Sequence, residues 1–416
     1  MVSRALSRRV AGFGCFFCGA KERRIALGIL SPISGEPSLL IFWQDERRSY
    51  SYAQIQTWAQ TLRVVFENLP KGAVCALIGF APLETWILTL AAWSQGVSVL
   101  PFAQRASDAA IDLALAQIPW SLRISRNGEG EQGAFLGPQN LLVDRNEVAT
   151  STEADIFLMS SGSTGTPKAI GHSIESLSAS ARATLEFYQF APGESWLLSL
   201  DPSHIGGLQI LIRVWLGQGL CYYGGEPKDI GHALTLRSFD FLSLVPTQLL
   251  RLFEIPEAAI HLRKAKAILL GGAATQESLL TLLKSLSLPI SITFGSSETA
   301  SQISAFKPGV LPTKPGEVGE ILPIWSVQER ENSDLLIEGP ALLKGYWHEM
   351  KWFGRMDRLY PLSDQGHIEN GHLILEGRKD QIFQVGGENV SPKEILQLIE
   401  AVHPLSDMLL IAQPDA

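Results

Sequence analysis

The sequence predicts an α/β protein, a large multi-lobed domain of layered sheets and helices followed by the start of a smaller α+β domain. Three observations carry this. Apolar residues switch repeatedly between helical and strand spacing, the pattern of parallel strands covered by helices. At 416 residues the chain exceeds what one core usually serves, so more than one lobe is expected. From Leu335 onward the apolar runs become shorter and more strand-like.

Taken in order, residues 1–24 set Arg4, Arg8, Arg9, Lys21, Arg23 and Arg24 around a short apolar run. The arrangement mimics a secretory or transit segment, but no clear small-residue cleavage site follows it, so it is read as a basic N-terminal extension. Ile55, Trp58, Ala59, Leu62, Val65 and Phe66 recur at helical spacing from Tyr52 and stop at Pro70-Lys71-Gly72, which predicts an amphipathic helix. A buried strand over 73–78, a helix over 84–95 and a strand over 97–100 follow. Strands are then expected at 156–159, 196–200, 239–245, 267–270 and 290–293, with a helix at 208–215. Residues 371–377 read as a hairpin strand, and the domain boundary is placed at 377–380. The large domain is thus 25–377 and the smaller one begins at 378.

Composition excludes several function classes. Hydrophobic content of 46% with 18% charge marks a compact globular chain rather than a disordered one. A net charge of −8 argues against a general nucleic-acid binder. The longest stretch without a formal charge, 85–104, is broken by Gly96 and Pro101, so no transmembrane helix is expected. Cys15 and Cys18 form an isolated C-x-x-C, and Cys75 and Cys221 stand alone. Zinc would need a second ligand pair, so reduced thiols of a cytoplasmic protein are the expectation. Oligomeric state is left open.

The most informative segment is Ser160-Ser161-Gly162-Ser163-Thr164-Gly165-Thr166-Pro167-Lys168, which follows the apolar run at 156–159. Glycines let a backbone approach a polyphosphate, successive N–H groups form an anion nest, and hydroxyls donate to phosphate oxygens. Lys168 supplies compensating charge. It is not a Walker loop, because Pro167 occupies the place of the second glycine.

This run resembles the nucleotide loop of the adenylate-forming enzymes, the family of acyl- and aryl-CoA ligases, adenylation domains and luciferases. The resemblance implies ATP and Mg²⁺ as ligands, coenzyme A as co-substrate, and an acyl-adenylate made before the thioester. It extends to Phe294-Gly295-Ser296-Ser297-Glu298-Thr299, similar to the family's aromatic-Gly-x-Thr-Glu motif with Phe for Tyr and Ser for Thr. Phe294 would then stack on adenine, Ser297 meet the phosphates and Glu298 hold Mg²⁺. Gly271-Gly272-Ala273-Ala274 looks like the small-residue turn against which the family lays its adenine. Asp364 matches the aspartate that takes the ribose hydroxyls, although Leu362 and Ser363 replace the usual Thr and Gly. Arg378 would contact the nucleotide, Asp380 would be the hinge, and Gly386 and Gly387 would let a loop line the pantetheine tunnel.

Asp201-Pro202-Ser203-His204-Ile205-Gly206-Gly207 lies where the family gates its acyl site, which makes His204 a catalytic and substrate-binding candidate. Arg213 stands in the apolar run 208–215, where an unpaired charge is expensive. Taken alone, such a residue reads as the solvated face of a helix. With the surrounding motifs, the segment looks most like the family's o-succinylbenzoate:CoA ligases of menaquinone biosynthesis. Their acid is a dicarboxylate, and Arg213 would pair with the carboxylate that is not activated. Another aryl- or acyl-acid ligase, a carrier-protein-loading enzyme and a non-catalytic nucleotide-binding remnant stay open as alternatives. The last arises because no residue after Ile395 matches the lysine that the family bears near its end, which leads to the expectation of an incomplete smaller domain and weakened adenylation.

Overall fold

A computed structural model describes residues 40–127, 136–146, 153–160, 167–226, 230–273, 275, 277–379, 383–385 and 388–390. The basic extension, loop residues 161–166, Ala274, Asp380, Gly386, Gly387 and the stretch from 391 lie outside the described residues. The chain enters through the antiparallel pair β1 (Ile41–Gln44) and β2 (Ser49–Ser51). It continues through β3 (Val74–Ile78), β4 (Ser98–Pro101), β5 (Leu122–Arg126), β6 (Leu141–Arg145), β7 (Ile156–Ser160) and β8 (Lys168–His172). Next come β9 (Ser195–Leu197), β10 (Leu220–Tyr222), β11 (Phe241–Leu244), β12 (Ala267–Leu270) and β13 (Ile290–Ser296). The antiparallel returns are β14 (Ser301–Ala305), β15 (Glu317–Ile321), β16 (Ser326–Glu329) and β17 (Asp334–Glu338). Then follow β18 (Gly345–His348), β19 (Lys351–Gly354), β20 (Tyr360–Glu369) and β21 (His372–Arg378). A last hairpin pairs β22 (Phe383–Val385) with β23 (Glu388–Val390).

Among the described residues the strands form two large mixed sheets. One has eight strands in the order β19-β18-β8-β7-β4-β3-β5-β6, and the other thirteen, β16-β17-β20-β21-β15-β14-β13-β12-β11-β9-β10-β1-β2. The parallel strands carry unbroken apolar runs, as in β3 and β12, because both faces are covered. Two helices are buried nearly all round. Pro82–Ser94 hides every residue from Leu83 to Trp93, and Ile205–Gly217 every residue from Gly207 to Trp215. Such helices belong inside a layered protein rather than on its surface. One core joins Leu77 of the smaller sheet, Leu211 and Trp215 of the second helix, and Phe241 of the larger sheet. Trp215 meets Phe42 edge to face at 4.9 Å, and the Tyr52 hydroxyl donates to Val214 O at 2.8 Å.

Several expected boundaries shift for identifiable reasons. The first helix is Tyr52–Leu62 and tightens into a 3₁₀ turn at Arg63–Phe66. It starts at Ser51, whose Oγ accepts from Gln54 N while Gln54 Oε1 accepts from Ser51 N, a reciprocal cap. The next helix begins at Pro82 rather than 84, proline being suited to a first helical turn. The strand expected over 196–200 ends at Leu197; Leu198 N still donates to Tyr222 O at 2.8 Å, and Leu200 lies at the wall of a cleft. The strand expected over 290–293 instead runs to Ser296, because β14 returns to pair with Thr293–Ser296. The strand-like region at 335–345 resolves into β17 and a separate β18.

Candidate active site

β11, β12 and β13 run parallel, and their carboxyl ends open on a cleft of about 820 Å³. That is where ligands bind in open α/β sheets. Ser160, Lys168, His204, Arg213 and Gly272 line it. So do Phe294, Ser297, Glu298, Asp364 and Arg378. Ala273 is exposed and is not among the lining residues.

At one end stands the β7–β8 hairpin, in which Ser160 pairs with Lys168 across the strands. The pair therefore brackets the hydroxyl loop. Ser160 Oγ lies 3.5 Å from Lys168 O, and Lys168 Nζ sits 5.0 Å from the centre of the Tyr346 ring. Opposite lies the turn Ser297–Thr299 that ends β13. His172, fully buried on β8, reaches across to it, with Nε2 2.6 Å from Ser297 O and Nδ1 3.2 Å from Ser176 Oγ. Leu343 N donates to Glu298 O at 2.8 Å, and the buried Thr299 Oγ1 accepts from Ser296 N at 3.0 Å. The smaller sheet thereby fixes a turn of the larger one, and Lys168 and Glu298 face one cleft. Burial, and then Glu298, push the phenol of Tyr360 above its usual range.

Two glycines matter for this shape. Gly272 follows β12 with φ +81°, a conformation that side chains with a Cβ rarely adopt. A Cβ on Gly295 would stand 1.6 Å from Ser301 O, so β13 and β14 approach there only because that residue has no side chain. Asp364 of β20 pairs in register with Arg378 of β21, which carries both to the cleft from a third direction.

The remaining end is built around the helix Ile205–Gly217. His204 precedes its first turn and is exposed to the cleft. Arg213 is 2% exposed. Its Nη2 donates to Ser301 Oγ at 3.1 Å and approaches Gln302 Oε1 at 3.5 Å, while the guanidinium lies over Trp196 at 5.6 Å. Burial lowers its pKa to about 10, so it remains a cation at neutral pH. Among the described residues no carboxylate pairs with it. The expectation of a solvated helix face therefore fails, because both faces of this helix are packed. Sequence reasoning missed His172, Tyr360, Ser301 and Gln302. For each, the partner that ties it to the cleft is distant in sequence: Ser297 for His172, Glu298 for Tyr360, and Arg213 for Ser301 and Gln302.

The fold and the cleft define a layered α/β protein that takes its ligand at the carboxyl ends of a parallel strand set, between a hydroxyl-rich hairpin and a glutamate turn. The chain belongs to the AMP-binding enzyme family, whose pattern matches residues 34–347. It is 30% identical over 342 residues to the 2-succinylbenzoate–CoA ligase of Escherichia coli K12, an alignment covering 81% of this chain and 73% of that protein. The Salmonella typhimurium enzyme of the same name is 29% identical over 389 residues, covering 85% and 80%. Among solved structures, wild-type E. coli MenE with a bound phenylether-linked analogue of OSB-AMS superposes with a TM-score of 0.70 at 25% identity. That match covers 88% of this chain and 80% of the other. The Bacillus subtilis o-succinylbenzoate coenzyme A synthetase in complex with ATP and magnesium ion shares the fold, with a TM-score of 0.71 at 19% identity, covering 88% and 82%.

Among the described residues no helix is long and apolar enough to cross a membrane. Cys75 and Cys221 are buried free thiols, both raised in pKa by burial. Cys15 and Cys18 lie outside the described residues.

Proposed function

We propose that the chain is an ATP-dependent acid:CoA ligase that activates o-succinylbenzoate. The observation that carries the substrate is Arg213, a buried cation held, among the described residues, by neutral oxygens and an aromatic face. A free carboxylate on the acid would complete that site, and the relatives' names point to the same dicarboxylate. The setting is cytoplasmic, where ATP and CoA are available and the buried thiols stay reduced.

In the first step a carboxylate oxygen of the acid attacks the α-phosphorus of ATP. A carbonyl–O–P bond forms, the bond to the β-phosphate oxygen breaks, and pyrophosphate leaves. Ser160, residues 161–166, Lys168 and Ser297 hold the phosphates, Lys168 as a point charge and the others as donors. Phe294 and Gly272 seat the adenine, Asp364 the ribose hydroxyls, and Arg378 the nucleotide from the β21 side. His204 closes over the acyl group. Glu298 would hold Mg²⁺, which when bound neutralises phosphate charge. The donor set fits that ion. Among the described residues no cluster of three or more metal-ligating side chains is present, and a single carboxylate completed by phosphate oxygens and water suits Mg²⁺. In the second step the CoA sulfur attacks the acyl carbon, the thiol proton passes to solvent, and AMP departs. Asp380 is the proposed hinge for that step, and Gly386 and Gly387 the loop beside the pantetheine arm.

Replacing Arg213 tests the substrate. Arg213→Ala should lower kcat/KM for o-succinylbenzoate by about a hundredfold, the scale of a buried charge pair left without its partner. Use of a monocarboxylate such as benzoate should scarcely change. Equal activity of the variant with o-succinylbenzoate would refute the assignment.

A further inference from the structure

We infer that Gln302, with Ser301, sets selectivity for a dicarboxylic acid by anchoring Arg213 through neutral oxygens, which leaves the guanidinium's charge for the ligand. The inference rests on the ligase reading above and adds a specificity-determining residue to it.

A hydrogen-bond chain runs from the cleft wall into the core. Gln302 is 3% exposed. Its Oε1 accepts from Thr184 Oγ1 at 2.7 Å, and its Nε2 donates to Tyr188 Oη at 3.2 Å. The Tyr188 hydroxyl lies 2.7 Å from Ser291 Oγ, which donates to Phe306 O at 2.5 Å. The Ser291 proton is thereby committed, so the Tyr188 hydroxyl donates to Ser291 and accepts from the Gln302 amide. That fixes the direction of the amide: its nitrogen faces Tyr188 and its oxygen faces Thr184 and Arg213. Burial raises the Tyr188 phenol to about 12, so it stays neutral and gives the guanidinium no counter-charge.

Arg213 is therefore oriented by acceptors that carry no formal charge, and its Nε has no hydrogen-bond partner among the described residues. A buried cation in this state costs stability. Glutamate at 302 would have nearly the same shape and would neutralise the cation internally. Glutamine keeps the guanidinium in place without that neutralisation. Selectivity between a dicarboxylate and a monocarboxylate is a difference of affinities, and here the difference is the second carboxylate's reward for meeting an uncompensated charge.

The test compares wild type, Gln302→Glu and Arg213→Ala by acid-dependent adenylate formation, with KM measured for o-succinylbenzoate, benzoate and MgATP. Gln302→Glu is expected to raise the KM for o-succinylbenzoate at least about tenfold, with much smaller changes for benzoate and MgATP. Ser301→Asp against Ser301→Asn is a second, shape-matched pair on the partly exposed cleft wall, and only the aspartate should raise that KM. An unchanged KM for o-succinylbenzoate in Gln302→Glu, or equal behaviour of the two Ser301 variants, overturns the inference while leaving the ligase reading intact. Failure of both acidic variants to fold also counts against it, since an internal ion pair at Arg213 should be tolerated. A wild-type protein that ignores o-succinylbenzoate refutes the ligase reading itself, and the inference with it.

Discussion

His172 lies fully buried between Ser176 Oγ and Ser297 O, and burial holds its imidazole down to about pKa 4 against an ordinary 6.5. The neutral ring can donate from Nε2 to the Ser297 carbonyl, so the glutamate turn is braced by an uncharged group. Its folded pKa lies below its unfolded one. Its contribution to stability is complete above pH 6.5 and is lost as pH falls toward 4, on the order of 3 kcal/mol across that window. Asp155 acts in the opposite sense, because burial raises its carboxyl to about 6. Comparison of wild type with His172→Gln cancels that term. Urea unfolding between pH 4 and 7.5 should show the wild type losing stability on acidification more steeply than the variant, whereas parallel curves would contradict the account. At this scale Arg213 was legible, since a charge amid apolar residues is conspicuous. His172 and Gln302 were not, because Ser297 is 125 residues from the first, and Arg213 and Tyr188 are 89 and 114 from the second.

Elements were legible where local pattern decides them. β12 falls where its apolar run predicts, and the helix from Tyr52 begins at the expected place. Elements set by a distant partner were not. β13 runs on to Ser296 because β14 returns beside it, and its join depends on Gly295, whose missing Cβ admits Ser301 O. Ala300 and Ser301 complete that join with φ of 50° and 104°, a strained turn that aims the Ser301 hydroxyl at Arg213. Gly295→Ala should therefore cost about 2–4 kcal/mol of stability. It should also weaken MgATP binding, because Phe294 precedes the displaced residue, Ser297 follows two positions on, and both are proposed to hold the nucleotide. Thermal unfolding and nucleotide titration check both effects, and a variant that melts and binds like wild type would show that the join does not order the site.

For the molecule as a whole, alternating helices and strands foretold layered α/β structure, and the ordered motifs foretold which residues would meet. Ten of the residues those motifs single out line one cleft although they come from strands of both sheets, from turns that follow them and from the helix Ile205–Gly217 and its N-cap. The long antiparallel extension from β14 to β21 was harder to read, because short strands that pair across distant segments leave little periodic signal. It is this extension that brings Asp364 and Arg378 to the cleft. The central claim is that the cleft joins an acid to AMP and then to CoA. Mass spectrometry of the purified protein incubated with MgATP and o-succinylbenzoate, with and without CoA and beside benzoate and a fatty acid, tests it most directly. Selective appearance of o-succinylbenzoyl-AMP, converted to the CoA thioester when CoA is added, is the predicted result. Absence of adenylate with every acid, despite measured ATP binding, would contradict it.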